Sequence, residues 1–465
     1  MKPYFLILAL LAGPFQVWSQ GIVNDSAAAR LAKAIEDFKN TCHSPGVAVA
    51  IVHGDAIIYS QAIGYTDPES KTPATIDSRF PIMSVSKTFA ATMLVQLAEK
   101  GVVRLDDAVI KYVPEYKIQS SFKGYGPTTL LQLATHTAGL PRNTPADIRF
   151  ATSLDRWMLG ARTDSIQWFS TKKEMLQSLQ YLQLDYPPFH FQHPNDRHYS
   201  NLGYSVLGVA LERAAKMDYA DYVVGHICMP LGMLRSGFLD KQPARDSVAK
   251  GYYYNNATKA LDRVPLFEPG SALYPGGMYS TARDLCRYIS SQFDDMSSRS
   301  PKVMSAGGRA MMRSLKLGWK PAYPFALHEG AMPGYRSIVV FNPDSKLGWV
   351  VLTNVQDVDF NAINNQLADI TGKLFRKPKS RELAPYAGTY RLPHGYGSLD
   401  ITVKNDSLYS SYIQDLLPGQ PLVPDGEYKF KAQGKNGYAV QYEFVPGDTQ
   451  AIKALRMGQF VWYKE

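Results

Sequence analysis

Two β-rich blocks stand far apart in this chain with a long, mainly helical stretch between them, and that arrangement limits the fold more than any other feature. Val47-Ala48-Val49-Ala50-Ile51-Val52 is an apolar, β-favouring run; His53-Gly54-Asp55 reads as a turn and Ala56-Ile57-Ile58-Tyr59 as the return strand. The second block, Ser337-Ile338-Val339-Val340-Phe341, turns at Asn342-Pro343-Asp344 and comes back as Trp349-Val350-Val351-Leu352-Thr353. From Ser84 to about Ser290 the pattern is mainly helical, broken by loops rich in Pro, Gly and Asn. The simplest architecture is an α/β (α+β) fold. One antiparallel sheet is built from both ends and flanked by helices, with a helical subdomain inserted between its halves. A cleft between sheet and helical part is then the default site.

The ends of the chain read differently. Arg376-Lys377-Pro378-Lys379-Ser380-Arg381 marks a boundary, and beyond it come short alternating runs. Leu399, Ile401 and Val403 point one way, with Asp400, Thr402 and Lys404 the other; Tyr438, Val440, Tyr442 and Phe444 alternate likewise after the hairpin signal Asn436-Gly437. Residues 382–465 are expected to form a small β-barrel module. At the other end, a basic start, the apolar run Phe5 to Ala12 and Val17-Trp18-Ser19 read as a secretory signal peptide over 1–19. This leaves a main domain over 20–376 and a secreted or periplasmic product. No stretch is long and apolar enough for a transmembrane anchor. The chain has 465 residues, 45% of them hydrophobic, enough for a large core and two or three domains. Its net charge of +9 is spread along the chain, which gives no case for nucleic acid as a partner. Cys42, Cys228 and Cys286 make no disulfide framework, and Cys286 sits in a helical pattern as core.

Ser84-Val85-Ser86-Lys87 carries the strongest chemical signal. It opens a helix in which Phe89, Met93 and Leu97 recur every four residues, closed by Gly101. Three residues apart in a first turn, Ser84 and Lys87 share a face. A serine hydroxyl needs a base, and a desolvated lysine can be one because burial lowers its pKa. The helix N-terminus adds backbone N–H groups where an oxyanion would form. The plain alternative is a helix cap. Ser170-Thr171-Lys172-Lys173 also fits S-x-x-K, and there the plain reading is preferred, with Thr171 capping a surface helix.

Tyr199-Ser200-Asn201 precedes the apolar helix Val206 to Ala214. In an extended segment Tyr199 and Asn201 point to the same side, so both can face a pocket. A tyrosine near a lysine ammonium ionises more easily and can relay protons; an asparagine amide can hold a substrate amide or orient Lys87. Tyr253-Tyr254-Asn255 and Tyr254-Asn255-Asn256 match the same pattern and read as an exposed loop. His328-Glu329-Gly330-Ala331 lies just upstream of the second strand pair, closed by Pro333-Gly334. There a histidine can donate to the tyrosine oxygen or a substrate carboxylate, Gly330 lets substrate approach the backbone, and the Ala331 N–H can be a second oxyanion donor. The plain reading of His328 is a solvated loop residue. His190, His193 and His198 cluster in sequence, but nothing beyond clustering supports a metal site, so no metal or other cofactor is expected.

With these motifs in order, the chain resembles the serine β-lactamase and penicillin-binding-protein-like hydrolases, in their class C β-lactamase, D-aminopeptidase and esterase branch. The resemblance runs from about Ala34 to Leu374. It includes Leu131-Gln132-Leu133-Ala134-Thr135-His136-Thr137-Ala138-Gly139-Leu140-Pro141 and Pro275-Gly276-Gly277-Met278-Tyr279-Ser280-Thr281-Ala282-Arg283-Asp284-Leu285, which look like linker segments of that branch. The trailing module is similar to the lipocalin-like domain of several members. The resemblance implies an acyl-enzyme on Ser84 with Lys87 as base and Tyr199 as proton shuttle. It also implies that Asn201 orients substrate and lysine, and that the N–H groups of Ser84 and Ala331 form the oxyanion hole. His328 stands where many members carry lysine in K-T-G, and His-x-Gly is a feature of members acting on D-amino-acid peptides, amides or esters. The expected function is therefore a secreted serine hydrolase acting through an acyl-enzyme on amide or ester bonds of D-amino-acid-containing peptides or related amides, like a D-aminopeptidase or D-Ala-D-Ala carboxypeptidase, with a small molecule or short peptide as partner, cell-wall peptides among them. A β-lactamase or short-chain carboxylesterase is the alternative, and a non-catalytic binding or assembly protein is the alternative from another class. Oligomeric state stays open.

Overall fold

The computed structural model describes residues 16–19, 23–144, 147, 150, 152, 156–157, 169–188, 198–240, 247–294, 302–374, 383–392, 398–405, 407–411, 421–426, 428–433, 439–447, 451–457 and 460–465. The chain divides into two compact units, Met1–Ile370 and Thr371–Glu465. The charged stretch 376–381 lies outside the described residues.

The first unit is built on an antiparallel sheet of β1 (Gln16–Ser19), β2 (Gly46–His53), β3 (Ala56–Asp67), β4 (Thr72–Pro73), β5 (Lys320–Ala322), β6 (Phe325–Met332), β7 (Tyr335–Asn342) and β8 (Leu347–Thr353). The order is β1-β3-β2-β8-β7-β6-β5, with β4 pairing β3 from the side. Strand β2 joins β8, Ala50 opposite Val350, so the two ends of the unit share the middle of one sheet. All of β8 and all but the last residue of β2 are buried, because both faces are covered. Ala48, Ala50 and Val52 join the core that also holds Phe89, Leu94 and Leu285. Val47, Val49 and Ile51 are buried on the opposite face. Helix α1 (Asp25–Thr41) packs on β2 and β3, and its Phe38 stacks on Phe360, just ahead of the helix Asn361–Leu374 in which the unit ends. Of the expected leader, residues 1–15 lie outside the described residues, while Gln16–Ser19 form the outer strand paired to Tyr59–Ala62.

The inserted part, expected to be mainly helical, differs from the sequence reading in detail. Helix α2 (Ser86–Glu99) is buried all round from Ser86 to Leu97 rather than along one stripe. Its polar side chains must therefore find partners inside the protein. Thr88 donates to the Val85 carbonyl, Thr92 pairs with the Tyr288 hydroxyl, and the Gln96 amide donates to the His226 and Val303 carbonyls. Gly251–Asn255 and Ala260–Val264 form a hairpin, so Tyr253-Tyr254-Asn255 is strand and not loop. A run of aromatics favours the pleated surface, and the Asn255 side chain accepts from the Ala257 and Thr258 N–H groups to make the turn. Ser170 is 2% exposed and donates to Asp147, while Thr171 makes a capping box with Glu174, so the second S-x-x-K is structural.

The second unit is an eight-stranded antiparallel sheet: β9 (Gly388–Arg391), β10 (Ser398–Lys404), β11 (Ser407–Ser410), β12 (Val423–Gly426), β13 (Lys429–Gln433), β14 (Ala439–Pro446), β15 (Ile452–Met457) and β16 (Phe460–Lys464). It runs β11-β10-β9-β16-β15-β14-β13-β12. A bridge between Leu408 on β11 and Leu422, just before β12, joins its two ends into a small barrel. Leu399 and Ile401 point into a core with Tyr390, Phe430, Tyr442 and Phe444. Asn436 and Gly437 lie outside the described residues. Cys42, Cys228 and Cys286 are free thiols, the last two buried. Among the described residues no helix is long and apolar enough to cross a membrane.

Candidate active site

Ser84 does not cap α2. It sits in a 3-10 turn, Met83–Val85, that precedes the helix, and no side chain caps α2. The turn is held from three sides. The Ile82 N–H donates to the Met278 carbonyl at 2.9 Å, and the Ile82 carbonyl accepts from the Val85 N–H at 3.2 Å and the Ser337 hydroxyl at 2.7 Å. Met83 takes a left-handed φ of 50°, a conformation a side chain adopts only under tertiary constraint. Gly330 on β6 makes this fit possible. A Cβ there would stand 2.2 Å from the Ile82 carbonyl oxygen and 2.3 Å from Ser337 Oγ. The glycine thus admits the serine turn itself rather than a substrate.

Lys87 lies in the first turn of α2 with no exposed surface. Its Nζ is 3.0 Å from Ser84 Oγ and donates to the Pro275 carbonyl at 3.1 Å. Among the described residues no carboxylate pairs with it. Burial, then the charges of Arg142 and Lys320, push its pKa well below the ordinary lysine value. Pro275 lies in the segment the sequence offers only as a linker, and it provides the lysine contact expected of Asn201. Asn201 instead donates to Asn143 Oδ1 at 3.0 Å. Asn201 is also the first residue of helix α3 (Asn201–Ala215), not part of an extended run, with Ser200 as the cap accepting from the Gly203 N–H.

Tyr199 stands beside Ser84, whose side chain favours its ionised form, and its ring centroid is 4.8 Å from Lys87 Nζ. The expectation that a neighbouring cation eases its ionisation fails. Burial outweighs the influence of the Ser84 side chain and the Arg142 charge, and its pKa is pushed up to about 12. His136, unremarked beyond its segment, orders this side of the site. With a φ of 59°, its Nδ1 accepts from the Ser200 N–H at 3.1 Å and its ring lies 4.3 Å from that of Tyr199.

His328 is 2% exposed and lies within β6, not in a solvated loop. Burial first, then the Lys87 and Lys320 charges, push its pKa down to about 3, so the ring is neutral. Its Nδ1 donates to the Glu329 carbonyl at 2.8 Å, which leaves Nε2 as an acceptor. Its ring centroid is 6.4 Å from that of Tyr199.

Ser84, Tyr199, Asn201, His328 and Ala331 line one cavity of about 520 Å³. Arg142, Lys316, Lys320 and Glu329 bring charge to the same walls. Nothing in the sequence singles out these basic residues among 50 Lys and Arg. Ser84, Asn201 and Ala331 also border a second cavity of about 60 Å³, walled by Met83, Met175, Leu202, Phe267 and Met332. His190 and His193 lie outside the described residues, and His198 stacks on Tyr186 at 3.4 Å. A buried amine driven toward its neutral form beside a hydroxyl, a protonated phenol next to them and an amide at one cavity are suited to acyl transfer.

A model of the beta-lactamase family matches residues 31–373. The chain is 34% identical over 245 residues, 52% of its length, to "Beta-lactamase-like protein 2" of Dictyostelium discoideum, and spans 41% of that protein. It is 24% identical over 325 residues, 67% of its length, to "Protein flp" of Staphylococcus aureus (strain NCTC 8325 / PS 47), spanning 60% of it. Thus it covers less than two thirds of either relative. In fold it is similar to the octameric penicillin-binding protein homologue from Pyrococcus abyssi, with TM-score 0.62 and 23% identity over 95% of this chain and 100% of that one. It is likewise similar to a beta-lactamase/D-alanine carboxypeptidase from Yersinia pestis, with TM-score 0.58 and 21% identity over 75% and 99% of the two chains. With the sheet, the inserted helices and the Ser84 site in place, the chain belongs to the beta-lactamase family.

Proposed function

We propose that this protein is a serine hydrolase that cleaves amide or ester bonds through an acyl-enzyme on Ser84, with D-amino-acid-containing peptides or related amides as substrates. The contact that carries the reading is Lys87 Nζ at 3.0 Å from Ser84 Oγ, with the amine fully buried and driven toward its neutral form. In that form its lone pair accepts the serine proton as Oγ attacks the substrate carbonyl. The N–H groups of Ser84 and Ala331 receive the oxyanion in this reading. The proton then passes from Lys87 by way of Tyr199 to the leaving nitrogen or oxygen, and the carbon–heteroatom bond breaks to leave the acyl-enzyme. Water, activated by the same groups, releases the acid and restores Ser84. Tyr199 works here as a protonated relay, since its pKa is pushed up to about 12. The D-amino-acid class rests on His328-Glu329-Gly330 and is the finer part of the reading.

A fluorescent phosphonate tests the core of this. The folded wild type is expected to take the label and Ser84→Ala to lose it. A folded, unlabelled wild type would remove the hydrolase reading in favour of a binding or assembly protein. D-amino-acid amides, D-Ala-D-Ala peptides, a chromogenic cephalosporin and short aryl esters, run against both chains, then place the substrate. Export follows from the N-terminal pattern in the same reading, and a mature product beginning at Gln20 is the outcome expected on N-terminal sequencing of the culture medium or periplasm.

A further inference from the structure

The carbonyl that Lys87 uses belongs to a segment too short to hold its own shape. Gly270–Ala272 is a 3-10 turn and Leu273–Gly276 a single helical turn. What holds them comes from elsewhere. At the start of the segment the Ser271 N–H donates to the Ser170 carbonyl at 2.6 Å, and the two hydroxyls lie 3.0 Å apart. Ser170 Oγ gives its proton to Asp147, so Ser271 is the donor of that pair. Gly270 permits the approach: with a φ of 48°, a Cβ there would stand 2.5 Å from the Ser170 carbonyl oxygen. The Ser271 carbonyl in turn accepts from the Ser205 hydroxyl on α3 at 2.7 Å.

The second hold is Tyr274, the residue before Pro275. Its ring fills the notch that Gly208 leaves on α3, where a Cβ would come within 2.1 Å of it. Its hydroxyl donates at 3.2 Å to Glu212, one turn further along α3, and the other Glu212 oxygen pairs with Lys172. The Tyr274 carbonyl accepts from the Tyr219 hydroxyl at 3.5 Å. Arg213, paired with Glu115, and Asp218 are the other charges acting on this contact. Ser170 and Lys172 both come from the second S-x-x-K, and they hold the segment on either side of the path to Pro275.

The amine has few other guides. Among the described residues Lys87 Nζ has two hydrogen-bond partners, Ser84 and Pro275. Tyr199 and Tyr204 offer it only ring faces, at 4.8 and 5.7 Å, and His328 is neutral. Arg142 and Lys320, 5.2 and 5.7 Å from the Tyr199 ring centroid, are cations and repel its charged form. A neutral amine that gives one N–H to the Pro275 carbonyl turns its lone pair toward Ser84 Oγ. The place of that carbonyl therefore sets the aim of the base.

We propose that Ser170, Lys172 and Glu212 brace the segment 270–276 through Ser271 and Tyr274, and that Tyr274 is the positioning residue that sets the Pro275 carbonyl against the Lys87 amine. This rests on the hydrolase reading above and names what keeps its base aimed.

The test follows phosphonate labelling of Ser84 against pH in Tyr274→Phe and Lys172→Met, with urea midpoints to show that each is folded. Labelling climbs as Lys87 gives up its proton. A carbonyl holds an ammonium N–H more strongly than an amine N–H, so its contact favours the charged lysine. Once the carbonyl drifts, the acid limb is expected to move about half a pH unit lower. The alkaline plateau is expected to fall roughly three- to tenfold, because the lone pair is no longer aimed. Loosening that merely admits water moves the limb the other way, since it relieves the burial that depresses the lysine. Lys172→Arg keeps the Glu212 pair and is expected to restore the wild-type profile. A limb that stays or climbs, or a plateau that holds, in either variant overturns the brace, as does Lys172→Arg behaving like Lys172→Met. A wild type that takes no phosphonate ends the hydrolase reading and the brace with it. A labelled wild type whose variants keep its profile ends the brace alone.

Discussion

The same burial acts on Lys87 and Tyr199 in opposite senses. It penalises the lysine's charged form and the tyrosine's charged form alike, so one pKa falls well below 10.5 and the other rises to about 12. Near neutral pH the lysine is thereby driven toward the state of a base and the tyrosine kept as an acid, and this division assigns the proton transfers. It also has a cost in stability. An unfolded chain keeps this lysine protonated up to about the ordinary lysine pKa of 10.5, while the folded chain gives the proton up at lower pH. Between those two values the unfolded state binds more protons, so the wild type gains stability as pH rises through that window. Lys87→Met lacks the titration. The difference in urea midpoint between wild type and this variant is expected to shift in favour of the wild type from pH 7 to pH 10. A difference that stays flat would mean Lys87 titrates normally. The same variant should slow phosphonate labelling by about a hundredfold or more, the scale on which a positioned base contributes.

At the scale of elements, the serine turn and strand β6 depend on each other. Gly330→Ala would set a methyl 2.2 Å from the Ile82 carbonyl oxygen, so one of the two segments must move. A loss of roughly 1–3 kcal/mol is expected from such overpacking, read in the urea midpoint, together with slower labelling of Ser84. Wild-type values for both would show that the contact is slack. The sheet halves were legible in the sequence because β2 and β8 are continuous β-branched and apolar runs with plain turns. Strand β6 was not: Phe325–Met332 contains His328, Glu329 and Gly330, and its reading as a loop followed from polarity that the site itself imposes. The hairpin at Gly251–Val264 was lost for a similar reason, since its Asn-rich turn masked the strand before it. Ser84, Lys87 and Tyr199 could be picked out because their types and spacing are chemical. Pro275 could not, because it acts through a carbonyl that every residue has. Arg142 and Lys320 have no local pattern, and only folding brings them to one ring. His136 has no local pattern either, because the Ser200 N–H it receives lies 64 residues away.

At the scale of the molecule, every group of the candidate site belongs to the first unit, Met1–Ile370. A chain ended after Leu374, which keeps whole the helix Asn361–Leu374 that crosses the boundary of the units, is expected to fold and to take the phosphonate on Ser84 at a rate within a few-fold of the full chain. A folded but unlabelled truncation would show that the second unit is needed to complete the site. The second unit has its own interior of Tyr390, Phe430, Tyr442 and Phe444. Its seam, where Leu422 N–H meets the Leu408 carbonyl at 2.7 Å, has a consequence beyond closure. A sheet with no open rim offers foreign strands nothing to zip onto. Cut free by a protease, this ring of strands should drift as a lone particle instead of seeding fibres.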